Sequence, residues 1–267
     1  GLFVKSQNWL YITYSGIENL KTIFLEKQRE KTTSVIKSYI KSGFDNETKT
    51  ERFVFVTSNG GFQYDYLSLY EVLHDKYVAR YFAKCLLEKY CFFVKSNVVS
   101  GSKISNYKFT KIIAVTVSSQ LVGVAIRDLI EEDDNYTFLR NEDKNSGGPE
   151  SAPPLILLSS YYSFDTEKPF EKVEPEDRVL IVNDVISTGN LMKKMVYQLE
   201  SVKKAIVNAV FTVSDNRLPL DITSDKTELS SSFFDSDLEK RFFSLATYKD
   251  GIILRKFQSP YKGNAEQ

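Results

Sequence analysis

Asp184 stands where two sequence patterns meet. Before it runs Val179-Leu180-Ile181-Val182, an apolar stretch that reads as a strand buried on both faces, followed by Asn183. After it, Val185, Ile186, Ser187, Thr188 and Gly189 form a short turn, and from Leu191 the apolar positions Leu191, Met195, Tyr197 and Leu199 recur at roughly helical spacing. A turn at a helix N-terminus gathers backbone N–H groups on one point, the helix dipole adds positive potential there, and Ser187 and Thr188 add hydroxyl donors. This is the chemistry of an anion site with an acid beside it, and a phosphate fits. The same residues also suit a plain strand and tight turn of an α/β sheet, because short motifs match by chance.

The segment RVLIVNDVISTGN, Arg178 to Asn190, resembles the phosphoribosyl pyrophosphate (PRPP) binding motif of type I phosphoribosyltransferases: a hydrophobic strand, two acids, then a Thr-Gly turn. By that resemblance Asp184 holds the ribose hydroxyls, with Asn183 beside it, and Val185 to Gly189 cradle the 5-phosphate. Two positions depart from the family pattern. Asn183 replaces the first acid, and Leu191 replaces the Thr that follows the Gly by two. An asparagine still hydrogen-bonds a hydroxyl, but it brings no negative charge to a forming cation.

Four further stretches, in the same order along the chain, resemble the orotate-type members. Arg52 to Thr57 reads as a strand, Asn59-Gly60-Gly61 as a turn needing positive φ, Tyr64 to Leu69 as the returning strand, and Asp75 to Tyr90 as a helix with Val78, Phe82, Leu86 and Leu87 inward. Lys111 to Val117 is a second buried strand, followed by Ser118-Ser119-Gln120 and a helix with Gly123 and Ala125. In the family this loop contacts pyrophosphate through its backbone; the orotate-type lysine there is Gln120 here. Taken alone, the segment equally suits a strand, loop and helix of any parallel sheet. Tyr136 to Gly148, YTFLRNEDKNSGG, is similar to the orotate-type catalytic loop: Arg140, Glu142, Lys144 and Gly147 match, while Asn141 and Ser146 replace a Lys and the His. Its composition also suits a polar surface loop. Finally, Ala205 to Val213 is a strand ending in Ser214-Asp215-Asn216-Arg217, similar to the family's closing Asp-Arg.

The resemblance implies an α/β fold, an open mostly parallel sheet with helices on both faces, whose ligand sits at the C-terminal ends of the strands. It implies phosphoribosyl transfer from PRPP to a nucleobase with release of pyrophosphate. Asp184, Lys144 and Arg140 would be the catalytic residues, with the two cations meeting the pyrophosphate once the loop closes, and Ser118, Ser119 and Gln120 the pyrophosphate loop. Mg²⁺ is implied as cofactor, held mainly by PRPP, and a homodimer because the family's loop often enters a partner subunit. The lost acid and loop cations keep a second reading open, a PRPP- or nucleotide-binding sensor or effector module without turnover, as proposed for this fold in microbial conflict systems. A third is a domain that only binds other proteins.

The elements that must position these residues divide the chain into an N-terminal helical extension (1–44, with an amphipathic helix Ile17 to Ile40), the α/β domain (45–217) and a C-terminal extension packed on the core (218–267), with an edge strand at Ile252 to Arg255. A length of 267 residues suffices to bury a core. Lys and Arg total 35 and Asp and Glu 35, so no long-range field draws the chain to nucleic acid or a membrane. Cys85 and Cys91 lie in apolar surroundings and read as buried packing residues of a reducing compartment. No apolar run has the length of a membrane span and the start lacks a signal-peptide pattern, so a cytoplasmic protein is expected. No Walker loop, GxGxxG or His/Cys cluster is present, and the one histidine, His74, reads as structural.

Overall fold

The apolar runs find one another in a single sheet. The computed structural model describes residues 3–6, 9–12, 14–38, 40–42, 44–45, 50–51, 55–56, 62–63, 65–67, 69–73, 75–141, 150–158, 168–187, 189–217 and 236–247. In chain order the elements that matter are α1 (Tyr14–Lys37), α2 (Lys76–Val99), β1 (Lys111–Ala114), α3 (Val117–Glu132), β2 (Leu155–Leu157), β3 (Arg178–Ile186), α4 (Asn190–Tyr197), β4 (Ile206–Asp215), α5 (Ser236–Lys240) and β5 (Phe242–Thr247). The five strands lie in the order β2-β1-β3-β4-β5, and every pairing is parallel. Four short antiparallel pairs from residues 3–67 stand apart from this sheet.

Parallel strands need a covering layer on each face, and the alternation along β3 assigns the faces. Leu180 and Val182 pack with Phe82, Leu86 and Tyr90 of α2 and with Val122 and Ile126 of α3. Val179 and Ile181 pack with Met192 and Met195 of α4 and with Leu199. The first of these clusters is centred on aromatic rings. Tyr90 stacks on Phe109 at 4.9 Å between centroids and meets Phe211 and Phe243 edge-on at 5.7 and 5.4 Å. Its hydroxyl donates to the Tyr107 carbonyl at 2.7 Å, and burial raises its pKa. Cys85 and Cys91 are free and buried in α2, their thiols pushed up by burial to about 11 and about 12, as packing residues should be.

Several boundaries differ from those expected. Helix α2 starts where predicted, with Asp75 accepting from the Tyr77 N–H at 2.8 Å, but runs on to Val99 because Cys91 and Val94 continue its buried face. Strand β1 stops at Ala114 rather than Val117. Thr116 and Ser119 form a capping box there, each side chain taking the other's backbone N–H at 3.1 and 2.8 Å, and this starts a helix at Val117. Strand β3 continues past Val182 to Ile186, through pairings of Asn183 with Thr212, Val185 with Ser214 and Ile186 with Asp215. Asp65–Leu67 pairs with Ile40–Ser42, not with the 52–57 stretch, whose Phe55–Val56 pairs with Phe62–Gln63. The sheet takes its edge strand from Phe242–Thr247; the expected Ile252 to Arg255, like Asn59-Gly60-Gly61 and His74, lies outside the described residues. Among the described residues no helix is long and apolar enough to cross a membrane.

Because Phe211 closes the aromatic cluster on the central part of the sheet, Phe211→Ala is expected to cost about 3–5 kcal/mol of stability. Thermal or urea unfolding checks this; a loss under about 1 kcal/mol would mean that the cluster collapses around the gap.

Candidate functional site

Strand order 2-1-3-4-5 reverses direction between β1 and β3. Helix α3 leaves β1 on one face towards β2, and α4 leaves β3 on the other towards β4, so a crevice opens outside the carboxyl ends of these two strands. The residues at those ends are Thr116 and Ser118 from β1–α3, and Asp184 to Gly189 from β3–α4.

Asp184 is the centre of this crevice. Its carboxyl accepts the Val185 N–H at 2.8 Å, and the hydroxyls of Thr116 and Ser118 lie against it and favour the charged form. Burial outweighs them, so the carboxyl is held above the usual carboxylate range. Beyond it, Ile186 is buried, Ser187 is exposed, and Gly189 takes φ 79°, a left-handed conformation that favours glycine, as the residue before α4. Gly189 itself offers α4 no side-chain cap, and the positive end of the helix dipole there favours an anion. Thr188 lies outside the described residues.

Asn183 is placed differently from its expected role beside the ribose. It is only 4% exposed, its Nδ2 donates to the Val185 carbonyl at 2.9 Å, and its Oδ1 has no partner. Of the expected pyrophosphate loop, Ser118, Ser119 and Gln120 occupy the first turn of α3, not a loop. Ser119 is committed to the capping box, and Gln120 Nε2 donates to the Leu158 carbonyl at 3.0 Å, tying α3 to the end of β2. Ser118 alone of the three meets Asp184.

Arg140 is held by main-chain carbonyls. Its Nε donates to the Ile130 carbonyl at 2.7 Å and its Nη2 to the Glu131 carbonyl at 2.8 Å, so it satisfies the last carbonyls of α3. Lys108, just before β1, donates to the Arg140 carbonyl at 3.2 Å. Arg140 therefore sits at the amino ends of the strands, a helix length, about 24 Å, from the crevice. Helix carbonyls outcompete solvent for a guanidinium placed this close, and nothing in the motif YTFLRNEDKNSGG could reveal that. Asn141 and Ser151 then exchange backbone hydrogen bonds at 2.8 and 3.0 Å, pinching the base of the segment between them at that same edge. Glu142, Lys144, Ser146 and Gly147 lie outside the described residues.

Two features lie beyond the motifs. Thr116 stands three residues before Ser119, a spacing that is a helix-start signal. The Asp215-Arg217 pair has a third member. Arg217 grips Asp215 through Nε and Nη2 at 2.9 and 2.8 Å and Glu239 through Nη1 at 2.6 Å, and lies 4.6 Å over the Phe242 ring. Spacing gives no sign of Glu239, which comes from α5.

Sheet order and the residues gathered at the switch point define an open parallel α/β domain of the kind that places a ligand outside the ends of β1 and β3. The family of the phosphoribosyl transferase domain matches residues 98–239, just over half the chain, and the chain belongs to this family. Solved structures to which the chain is similar include UMP synthase from Leishmania donovani, 15% identical with a TM-score of 0.43 over 85% of this chain, which spans 36% of that one. Another is orotate phosphoribosyltransferase from Mycobacterium tuberculosis in complex with PRPP, 12% identical, TM-score 0.41, covering 84% of this chain and 98% of that one. A third is adenine phosphoribosyltransferase from Thermoanaerobacter pseudethanolicus, 15% identical, TM-score 0.41, covering 80% and 99%. No curated protein sequence matches the chain.

A carboxyl whose pKa is raised on folding lowers stability above the unfolded-chain value of about 3.9, and increasingly so until the folded pKa is passed. Asp184→Asn should therefore melt higher than the wild type at neutral pH, with the gap closing as pH falls towards that value. Melting curves across pH check this; a gap that widens on acidification would show that the carboxylate is net stabilised by its neighbours.

Proposed function

We propose that this domain binds PRPP with Mg²⁺ and transfers the phosphoribosyl group to a nucleobase of the orotate type, releasing pyrophosphate. The observation that carries the reading is the convergence at the switch point of Asp184, Thr116 and Ser118 with the start of α4 behind the left-handed Gly189. The turn from Ser187 to Gly189 and the first N–H groups of α4 take the 5-phosphate. Asp184 accepts hydrogen bonds from the ribose hydroxyls, which favours its charged form against the burial that opposes it. Positive charge develops on the ribosyl ring as the bond to pyrophosphate breaks, and a carboxylate in a crevice of low dielectric stabilises it from a fixed position.

Among the described residues no three His, Cys, Asp or Glu side chains gather to hold a metal. One carboxylate, Asp184, fits Mg²⁺, which binds through one or two carboxylates plus substrate phosphates. Mg²⁺ bound in that way supplies charge neutralisation for the departing pyrophosphate. Asp184 would be its one protein side chain, and the rest of the site orients the sugar and excludes water.

Lys144 belongs to the reading as the resemblance gives it, the loop cation that meets the departing pyrophosphate, supplied by the partner subunit of a homodimer. A second reading, binding of PRPP or a nucleotide without turnover, is favoured by Arg140, a cation expected at the pyrophosphate that is instead held by α3 carbonyls.

Calorimetric titration of PRPP with Mg²⁺ into wild type, Asp184→Ala and Lys144→Ala, with pyrophosphate release from a panel of bases, tests these readings. Wild type and Lys144→Ala are expected to bind; Asp184→Ala should bind at least about tenfold more weakly. Lys144→Ala should lose release by a factor on the order of a hundred to a thousand. Binding with no release from any base would favour the second reading, and no binding by the wild type would sink both.

A further inference from the structure

The regular alternation of β3 breaks after Asp184. Val182 packs against the α2 and α3 cluster, and the pleat places Asn183 on the α4 side, but Val185 then packs against the α2 and α3 cluster and Ile186 against the α4 cluster. The peptide groups of this irregular step are held by side chains. Asp184 Oδ1 accepts from the Val185 N–H at 2.8 Å, Thr212 Oγ1 donates to the Asp184 carbonyl at 3.1 Å, and Asn183 Nδ2 donates to the Val185 carbonyl at 2.9 Å. Asn183 and Thr212 are 4% and 0% exposed, and the Thr212 hydroxyl also faces the Ser214 carbonyl at 3.3 Å.

Resting on the proposed PRPP site, we propose that Asn183 is a positioning residue for Asp184: with Thr212 it clamps the carbonyls of the 184–185 step and so fixes where the Asp184 carboxyl points. What the clamp needs from position 183 is a donor. An ionised carboxylate has none, and its second oxygen would take the place of Nδ2 facing the Val185 carbonyl. Its first oxygen would gain nothing either, since Asn183 Oδ1 is already without a partner. Asparagine at this position is thus the residue that holds the backbone, not a sugar-binding acid that has been lost.

A second carboxylate beside Asp184 would also add like charge on the same strand. Asn183→Leu, close in volume and without a donor, removes the bond to the Val185 carbonyl and leaves Thr212 in place.

The test measures PRPP affinity of wild type, Asn183→Leu and Thr212→Val by calorimetry, together with their melting temperatures. We expect both variants to melt lower than the wild type and to bind PRPP about tenfold more weakly. Unchanged affinity in Asn183→Leu would overturn the positioning role, as would unchanged affinity in Thr212→Val should Asn183→Leu not fold. If the wild type binds no PRPP, the functional reading fails by itself, and an unchanged melting temperature of Asn183→Leu would still overturn the backbone clamp.

Discussion

Everything in this domain depends on β3 being covered on both sides while its last residues stay accessible at one end. Val179 to Val182 are buried completely, between the aromatic cluster under α2 and α3 and the methionines of α4. A strand held that firmly on two faces and two edges has no freedom to shift register, since a one-residue slip would send each side chain to the wrong layer. Asp184 inherits its position from that constraint. The switch between β1 and β3 then decides what meets it: the start of α3 from one side and the turn into α4 from the other.

The acid at the centre is kept at some expense. Burial works against its charge more strongly than Thr116, Ser118 and two backbone N–H groups support it. A core that cared only for stability would place an amide or an apolar residue there. Functional sites commonly hold groups in conditions they would not choose, with the surrounding fold absorbing the cost. The buried layers on either side of β3 are the part of this fold large enough to do so.

How much of this was legible in the residues follows from the range of each interaction. Buried runs such as Val179 to Val182 and Lys111 to Ala114 announce themselves because parallel strands are apolar on both sides, and the turn before α4 shows in Gly189. Local signals also carried the start of α2 at Asp75. The extent of β3 was not legible, since Asn183 and Asp184 look like a strand end and become strand only through Thr212 and Ser214 of β4. Nor was the fate of Arg140, whose acceptors are main-chain carbonyls that exist only once α3 has formed, nor the inward turn of Asn183, which depends on the irregular step after Asp184. Composition speaks to burial and period; it is silent on which of two partners a polar side chain will take.

The grip of Arg217 on Asp215 and Glu239, with Phe242 beneath it, joins the end of β4 to α5 and β5. Without β5, the outer edge of β4 would present a row of free backbone N–H and C=O groups along a stretch that includes Phe211 and Val213, both wholly buried in the native sheet. Such an edge is a template for pairing with another chain. β5 thus takes over from β4 as the sheet edge among the described residues, and a single guanidinium, flanked by two carboxylates and an aromatic ring, ties the end of β4 to it.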